Sequence, residues 1–263
     1  MSDAGDFAAA APVRSPVTRP GAVTAMIGVG DSVTLGSACA CDNFMTLLSR
    51  SQAAAQGTPV HLRNDGRNGL TSGGLLARLR DADVAKAVAS SEVIVVTIGA
   101  NDFDSGVLDG PDCAPARKLK CYQPGLAALR SNLRRVLSRI SHLQRGSRSR
   151  VLLTGYWNVF LDGAVGRDRG LRYVARSEAL TRQVNRVIKR AAGDADADYV
   201  DLYAAFKPDA DSDDTGLIAA DGDHPNAVGH RVIAAALGKA LAVPTLPLDG
   251  PKVPIVSSKC REA

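Results

Sequence analysis

Apolar strand-like runs alternate with amphipathic helical stretches along almost the whole chain, and few architectures accommodate that rhythm. Runs rich in β-branched and apolar residues occur at Ala25–Val29, Val60–Arg63, Val93–Ile98, Val151–Tyr156 and Tyr199–Leu202. Between them Leu126, Leu129, Leu133, Val136, Leu137, Ile140 and Leu143 recur at helical spacing, as do Leu180, Val184, Val187, Ile188 and Ala191. A last helix is expected to carry Pro225 in its first turn and Val228, Val232, Ala236 and Leu237 on one side. The fold class expected is α/β, a three-layer α/β/α sandwich. Its central parallel sheet would have about five strands in the order 2-1-3-4-5, joined by right-handed crossovers.

A chain of 263 residues fits one such domain. The rhythm fills residues 22–242 and leaves a leader, residues 1–21, and a tail, residues 243–263, that holds Pro244, Pro247, Pro251 and Pro254. The leader lacks a basic start followed by an apolar stretch, so it is not an intact secretory signal. No apolar run approaches the roughly 20 residues of a membrane span, which predicts a soluble protein without a transmembrane segment. The net charge of +5 is spread over many arginines, and only eleven residues are aromatic. Both features argue against a nucleic-acid partner, which would need a massed basic groove or stacking platforms. The cations of the stretch Arg172 to Arg190 read as a solvated face, and the acidic run Asp209 to Asp214 as a solvent-facing turn, since it lacks the glycine and distal glutamate of a calcium loop. A monomer is expected.

Five cysteines stand at 39, 41, 113, 121 and 260, none with a histidine at zinc spacing, so no metal is expected. Cys113 and Cys121 flank a loop rich in Asp, Pro, Gly and Lys that a bridge would order. Cys39 and Cys41 could bridge each other, pair elsewhere or remain packed thiols, and Cys260 is left unpaired or intermolecular. The pattern suits an exported protein, secreted or held in the cell envelope. Two long segments, Phe103–Pro124 and Asn158–Gly170, leave strand ends on one edge of the sheet. They are expected to be substrate walls or a lid, with disordered insertion as the alternative.

Four short blocks follow strand-like runs, so the sheet would deliver all of them to its carboxyl edge. Gly30-Asp31-Ser32 comes where the first strand turns toward a helix. Glycine permits the bend, and the amides of a helix start would face a developing oxyanion. Alone, such a serine is most often a helix cap. Asp221-Gly222-Asp223-His224-Pro225 supplies an imidazole able to take a hydroxyl proton near neutral pH, with a carboxylate three residues earlier to orient it. Asp223 is a rival to Asp221, but adjacency to His224 should point those two side chains apart. His61, His142 and His230 fall in expected strand or helix with no matching carboxylate. Gly69, and Asn101 in Gly99-Ala100-Asn101-Asp102, add a bare backbone amide and a carboxamide, both donors suited to an oxyanion.

These four blocks resemble those of the SGNH (GDSL-type) hydrolase family over roughly residues 25 to 241. The serine block reads Gly-Asp-Ser-Val rather than Gly-Asp-Ser-Leu, at a position that packs rather than reacts. The resemblance implies that Ser32 is a nucleophile activated by His224 and Asp221. It also implies an oxyanion hole made by the Ser32 and Gly69 amides with the Asn101 side chain. No cofactor is implied. The reaction expected is cleavage of small-molecule, lipid or glycan carboxylic esters through an acyl-enzyme. Carbohydrate deacetylation or acyl transfer on the same residues is the alternative, and an inactive binding module a lesser one. The cysteines and basic composition also resemble exported actinobacterial members.

Overall fold

The computed structural model describes residues 22–110, 119–145, 149–209 and 212–242. The expected leader and tail, Cys113, Cys260 and the middle of the Phe103–Pro124 segment lie outside them. Five parallel strands, β1 (Ala25–Gly30), β2 (His61–Gly66), β3 (Val93–Thr97), β4 (Arg150–Thr154) and β5 (Asp198–Val200), form one sheet in the order β2-β1-β3-β4-β5. The order is the one expected. Strands β1 and β3, at the centre, are almost wholly buried, because helices cover both faces.

Helices α1 (Ser32–Leu35), α2 (Phe44–Gln56), α3 (Ser72–Arg78), α4 (Ala82–Ala89), α5 (Gln123–Leu143), α6 (Gly163–Asp168), α7 (Leu171–Asp194), α8 (Leu202–Phe206) and α9 (Ala227–Ala242) complete the fold. Helices α3, α4, α5 and α7 pack together on one face, and α2, α8 and α9 on the other. The apolar positions read as periodic in α5 and α7 are buried, apart from the half-buried Leu143 at the end of α5. Among the described residues no helix is long and apolar enough to cross a membrane.

Several expectations need correction. Strand β2 runs on through Asn64 and Asp65 to Gly66, in register with Gly28, Val29 and Gly30 of β1. Two polar residues can occupy it because each has partners: Asn64 Nδ2 donates to the Thr34 carbonyl, and Arg78 grips Asp65 with two nitrogens. Strand β5 stops at Val200, since Asp201 caps α8 through the Ala204 amide. Pro225 pairs with Ile218 in an antiparallel bridge rather than entering the last helix, whose buried side is Gly229, His230, Ile233 and Leu237. Val228 is exposed. The described part of Asn158–Gly170 is no loose insertion: Asn158, Val159 and Phe160 are buried, and Asn158 is hydrogen-bonded to Ser177, Thr181 and Leu161. The acidic run is not all solvent-facing either, because Asp214 is buried beside Lys207, which also pairs with buried Asp162. Burial and the nearby Asp162 charge push the Asp214 carboxyl up to about 7. Cys39 and Cys41 are joined to each other, and Cys121 is disulfide-bonded.

Candidate active site

Strand β1 ends where its backbone runs against β3. A Cβ on Gly30 would lie 2.0 Å from the Thr97 carbonyl oxygen, so no side chain fits there. The next amide, Asp31 N–H, donates to that same carbonyl at 3.0 Å. Asp31 then caps α1, its Oδ1 accepting from the Val33 amide at 3.0 Å, while its Oδ2 accepts from the buried Tyr156 hydroxyl at 2.5 Å. Burial pushes the Asp31 carboxyl up to about 6, against the pull of those bonds. Ser32 is thereby fixed as the first residue of α1, with its amide at the positive end of the turn.

The histidine arrives from the far end of the sequence. The loop between β5 and α9 is closed by the Ile218–Pro225 bridge and by the Ala219 amide donating to the His224 carbonyl at 2.8 Å. It is tied to the β4–α6 segment through Asp162 N–H to the Gly222 carbonyl, 2.8 Å. These constraints bring His224 Nε2 to 2.8 Å from Ser32 Oγ, across 192 residues of sequence. His224 Nδ1 lies 2.9 Å from Asp221 Oδ2, and Asp221 Oδ1 accepts from the Asp223 and His224 amides.

Asp223, expected from its adjacency to point away from the imidazole, faces it instead. Its Oδ1 comes within 2.7 Å of the same Nδ1, although off the hydrogen-bonding direction. Asp221 therefore orients the ring, and Asp223 adds a second negative charge beside it. Together, Asp223 foremost, they hold the imidazolium up to about 9 against the opposing effect of burial. Asp221, Asp223 and His224 also lie close enough to share a cation, but both ring nitrogens of His224 already face partners. The sulfurs of the other such group, Cys39, Cys41 and His230, are bonded to each other.

Asn101 and Gly69 sit on neighbouring loops. Asn101 Nδ2 donates to the Leu70 carbonyl at 3.1 Å, which leaves its second amide hydrogen for another acceptor. Gly69 has φ of 69°, in the left-handed region, and nothing stands where its side chain would be. Among the described residues neither the Ser32 nor the Gly69 amide has a hydrogen-bond acceptor. Asp102, quoted in the sequence only as part of its block, clamps this region: it accepts from the Ser72 amide at 2.9 Å and from the Ser72 hydroxyl at 2.6 Å. A cleft of about 110 Å³ opens beside Ser32 and His224, walled by Ala100, Phe103, Ser105, Val159 and Phe160. Tyr156 and Phe160, hidden in an expected strand end and an expected loop, carry no sequence signal beyond their size.

The fold recurs among solved structures. A lipase from a goat rumen metagenome superposes with a TM-score of 0.67 at 19% identity, covering 82% of this chain and 97% of that one. An acetylxylan esterase from Geobacillus stearothermophilus gives 0.61 at 18%, covering 84% and 95%, and a lipase/acylhydrolase from Enterococcus faecalis 0.54 at 22%, covering 82% and 94%. No curated protein resembles the chain closely enough in sequence to count as a match. A family model does match, over residues 29–232, a span that takes in every block of the cleft from β1 to α9. The chain belongs to the GDSL-like Lipase/Acylhydrolase family.

Proposed function

We propose that the protein hydrolyses carboxylic esters of short acyl chains through a covalent intermediate on Ser32. The observation that carries this reading is the continuous line Ser32 Oγ, His224 Nε2, His224 Nδ1, Asp221 Oδ2, with steps of 2.8 and 2.9 Å. His224 takes the hydroxyl proton as Ser32 Oγ bonds to the ester carbonyl carbon. The tetrahedral oxyanion is met by the Ser32 and Gly69 amides and the Asn101 carboxamide. Collapse expels the alkoxide, which receives the proton from His224, and a water activated by the same imidazole then releases the acid.

The cleft supports a small acyl group: about 110 Å³ is well below the roughly 300 Å³ at which pockets for drug-sized ligands begin. The same size suits an acetyl group on a sugar, so deacetylation of a glycan is the second reading. The Cys39–Cys41 disulfide favours an oxidising compartment, so we place the enzyme outside the cytoplasm.

A fluorophosphonate probe should label the wild type stoichiometrically, and Ser32→Ala should abolish both labelling and turnover of an aryl acetate without lowering the melting temperature. Labelling that survives this substitution would place the nucleophile elsewhere. Acetate release from acetylated xylan, measured beside hydrolysis of aryl esters of increasing chain length, separates the two readings.

A further inference from the structure

Helix α5 carries Arg130, Arg134, Arg135 and Arg139 and not one carboxylate along its length. Its outer face and the end of α3 border an open, shallow groove of about 710 Å³, lined by Arg80, Arg134, Arg135 and Arg139 together with the hydroxyls of Ser131 and Ser138 and the imidazole of His142. The lining contains no acidic residue. Among the described residues the side chains of Arg80, Arg134 and Arg135 have neither an ion pair nor a hydrogen bond, and Arg139 has only the Leu79 carbonyl. The nearest acidic residues in sequence, Asp81 and Asp83, are engaged by Arg78 and Arg63. The cationic face of α7 is different, for Arg182 is matched there by Glu178, and Asp201 lines the same groove.

Unneutralised guanidinium groups crowded into one groove repel one another, and a ligand that brings carboxylate or sulfate groups relieves the repulsion. Guanidinium groups bind such anions bidentately. Along a helix they recur about every 5 Å, one turn, which suits a linear chain with regularly spaced charges. The lining decides which kind of chain. It has no Phe, Tyr or Trp, its one ring is the imidazole of His142, a single position where successive bases need several, and Leu76 is its one aliphatic side chain, too little to hold acyl tails. Hydroxyls beside guanidinium groups suit sugar rings bearing acid groups. We infer that the groove between α3 and α5 binds an acidic polysaccharide, at a site separate from the Ser32 cleft.

The test is binding of polygalacturonate to the full-length protein, followed by fluorescence anisotropy of the labelled polymer at low and at physiological salt. Arg134→Glu/Arg135→Glu should weaken binding by on the order of tenfold at low salt. Arg186→Glu/Lys189→Glu on α7 changes the net charge equally and should weaken it by less than about threefold, as expected for charge acting at a distance. Unchanged melting temperatures establish that both variants are folded. Should the reversal at 134 and 135 unfold the protein, Arg134→Gln/Arg135→Gln replaces it, with the loss still expected to exceed that of the α7 variant. Equal losses in the α5 and α7 variants, no binding by the wild type, or equally tight binding of oligothymidylate or of phosphatidylglycerol vesicles would each overturn the inference.

Discussion

At the scale of a residue, the ring of His224 is unusual in facing two carboxylates through one nitrogen. A base must be unprotonated to accept the Ser32 proton, so raising its affinity for protons moves activity to higher pH. Asp223 and Asp221 hold the proton up to about 9, which moves the bend of the pH profile above the near-neutral range that an ordinary imidazole gives. The expected profile of kcat/KM climbs through neutrality and bends only in the alkaline range. Asp223→Asn removes one of the two charges and should move that bend down by about a unit. A wild-type bend near 6.5 would show that the carboxylates do not hold the proton. Asn101→Ala removes one oxyanion donor and should lower kcat by about 10²–10³ with folding intact. A near-normal kcat in that variant would assign the donor's work to other groups.

At the scale of an element, α1 is a single turn and cannot hold its own shape. Asp31 supplies what the turn lacks, joining its first amides to Tyr156 at the end of β4 and, through its own amide, to β3. Asp31→Ala would remove the cap and leave the buried Tyr156 hydroxyl without an acceptor. Together these losses should cost about 2–4 kcal/mol, read as a lower denaturation midpoint. A shift below about 0.5 kcal/mol would mean that water replaces the carboxylate. Because Ser32 opens this turn, kcat should fall as well. Helix α9 shows a different device: His230, wholly buried, accepts the Phe44 amide on Nδ1 at 3.3 Å and stacks on the Phe44 ring, pinning the last helix to α2.

At the scale of the molecule, the strand order was legible because apolar runs and helical periods are local signals that a parallel sheet merely assembles. The blocks at Ser32, Gly69, Asn101 and His224 were legible for a related reason: glycine, proline and acid–amide pairs punctuate turns at strand ends. What escaped notice depends on contacts between distant segments. Asn64 and Asp65 look like loop residues until Thr34 and Arg78 are found beside them. The approach of Asp223 to the imidazole comes from loop closure through Ile218, Pro225 and Asp162, which no spacing of neighbours encodes. His230 has no carboxylate near it in sequence to mark it, yet its bond to the Phe44 amide gives it a role, and burial, with the charge of His224, pushes its pKa down to about 4. Polar residues in buried positions are the ones a periodic pattern misplaces, because their cost is offset by partners the pattern does not contain.

The ends of the described fold meet at one border of the sheet. Glu92, just before β3, accepts from the Thr24 and Ala25 amides where β1 begins, and Arg150, at the start of β4, donates to the Ala240 and Leu241 carbonyls where α9 finishes. Ser32 and His224 sit at the opposite border. A tether, a reporter or a solid support attached at residue 22 or residue 242 would therefore be fixed to the border opposite the mouth of the cleft.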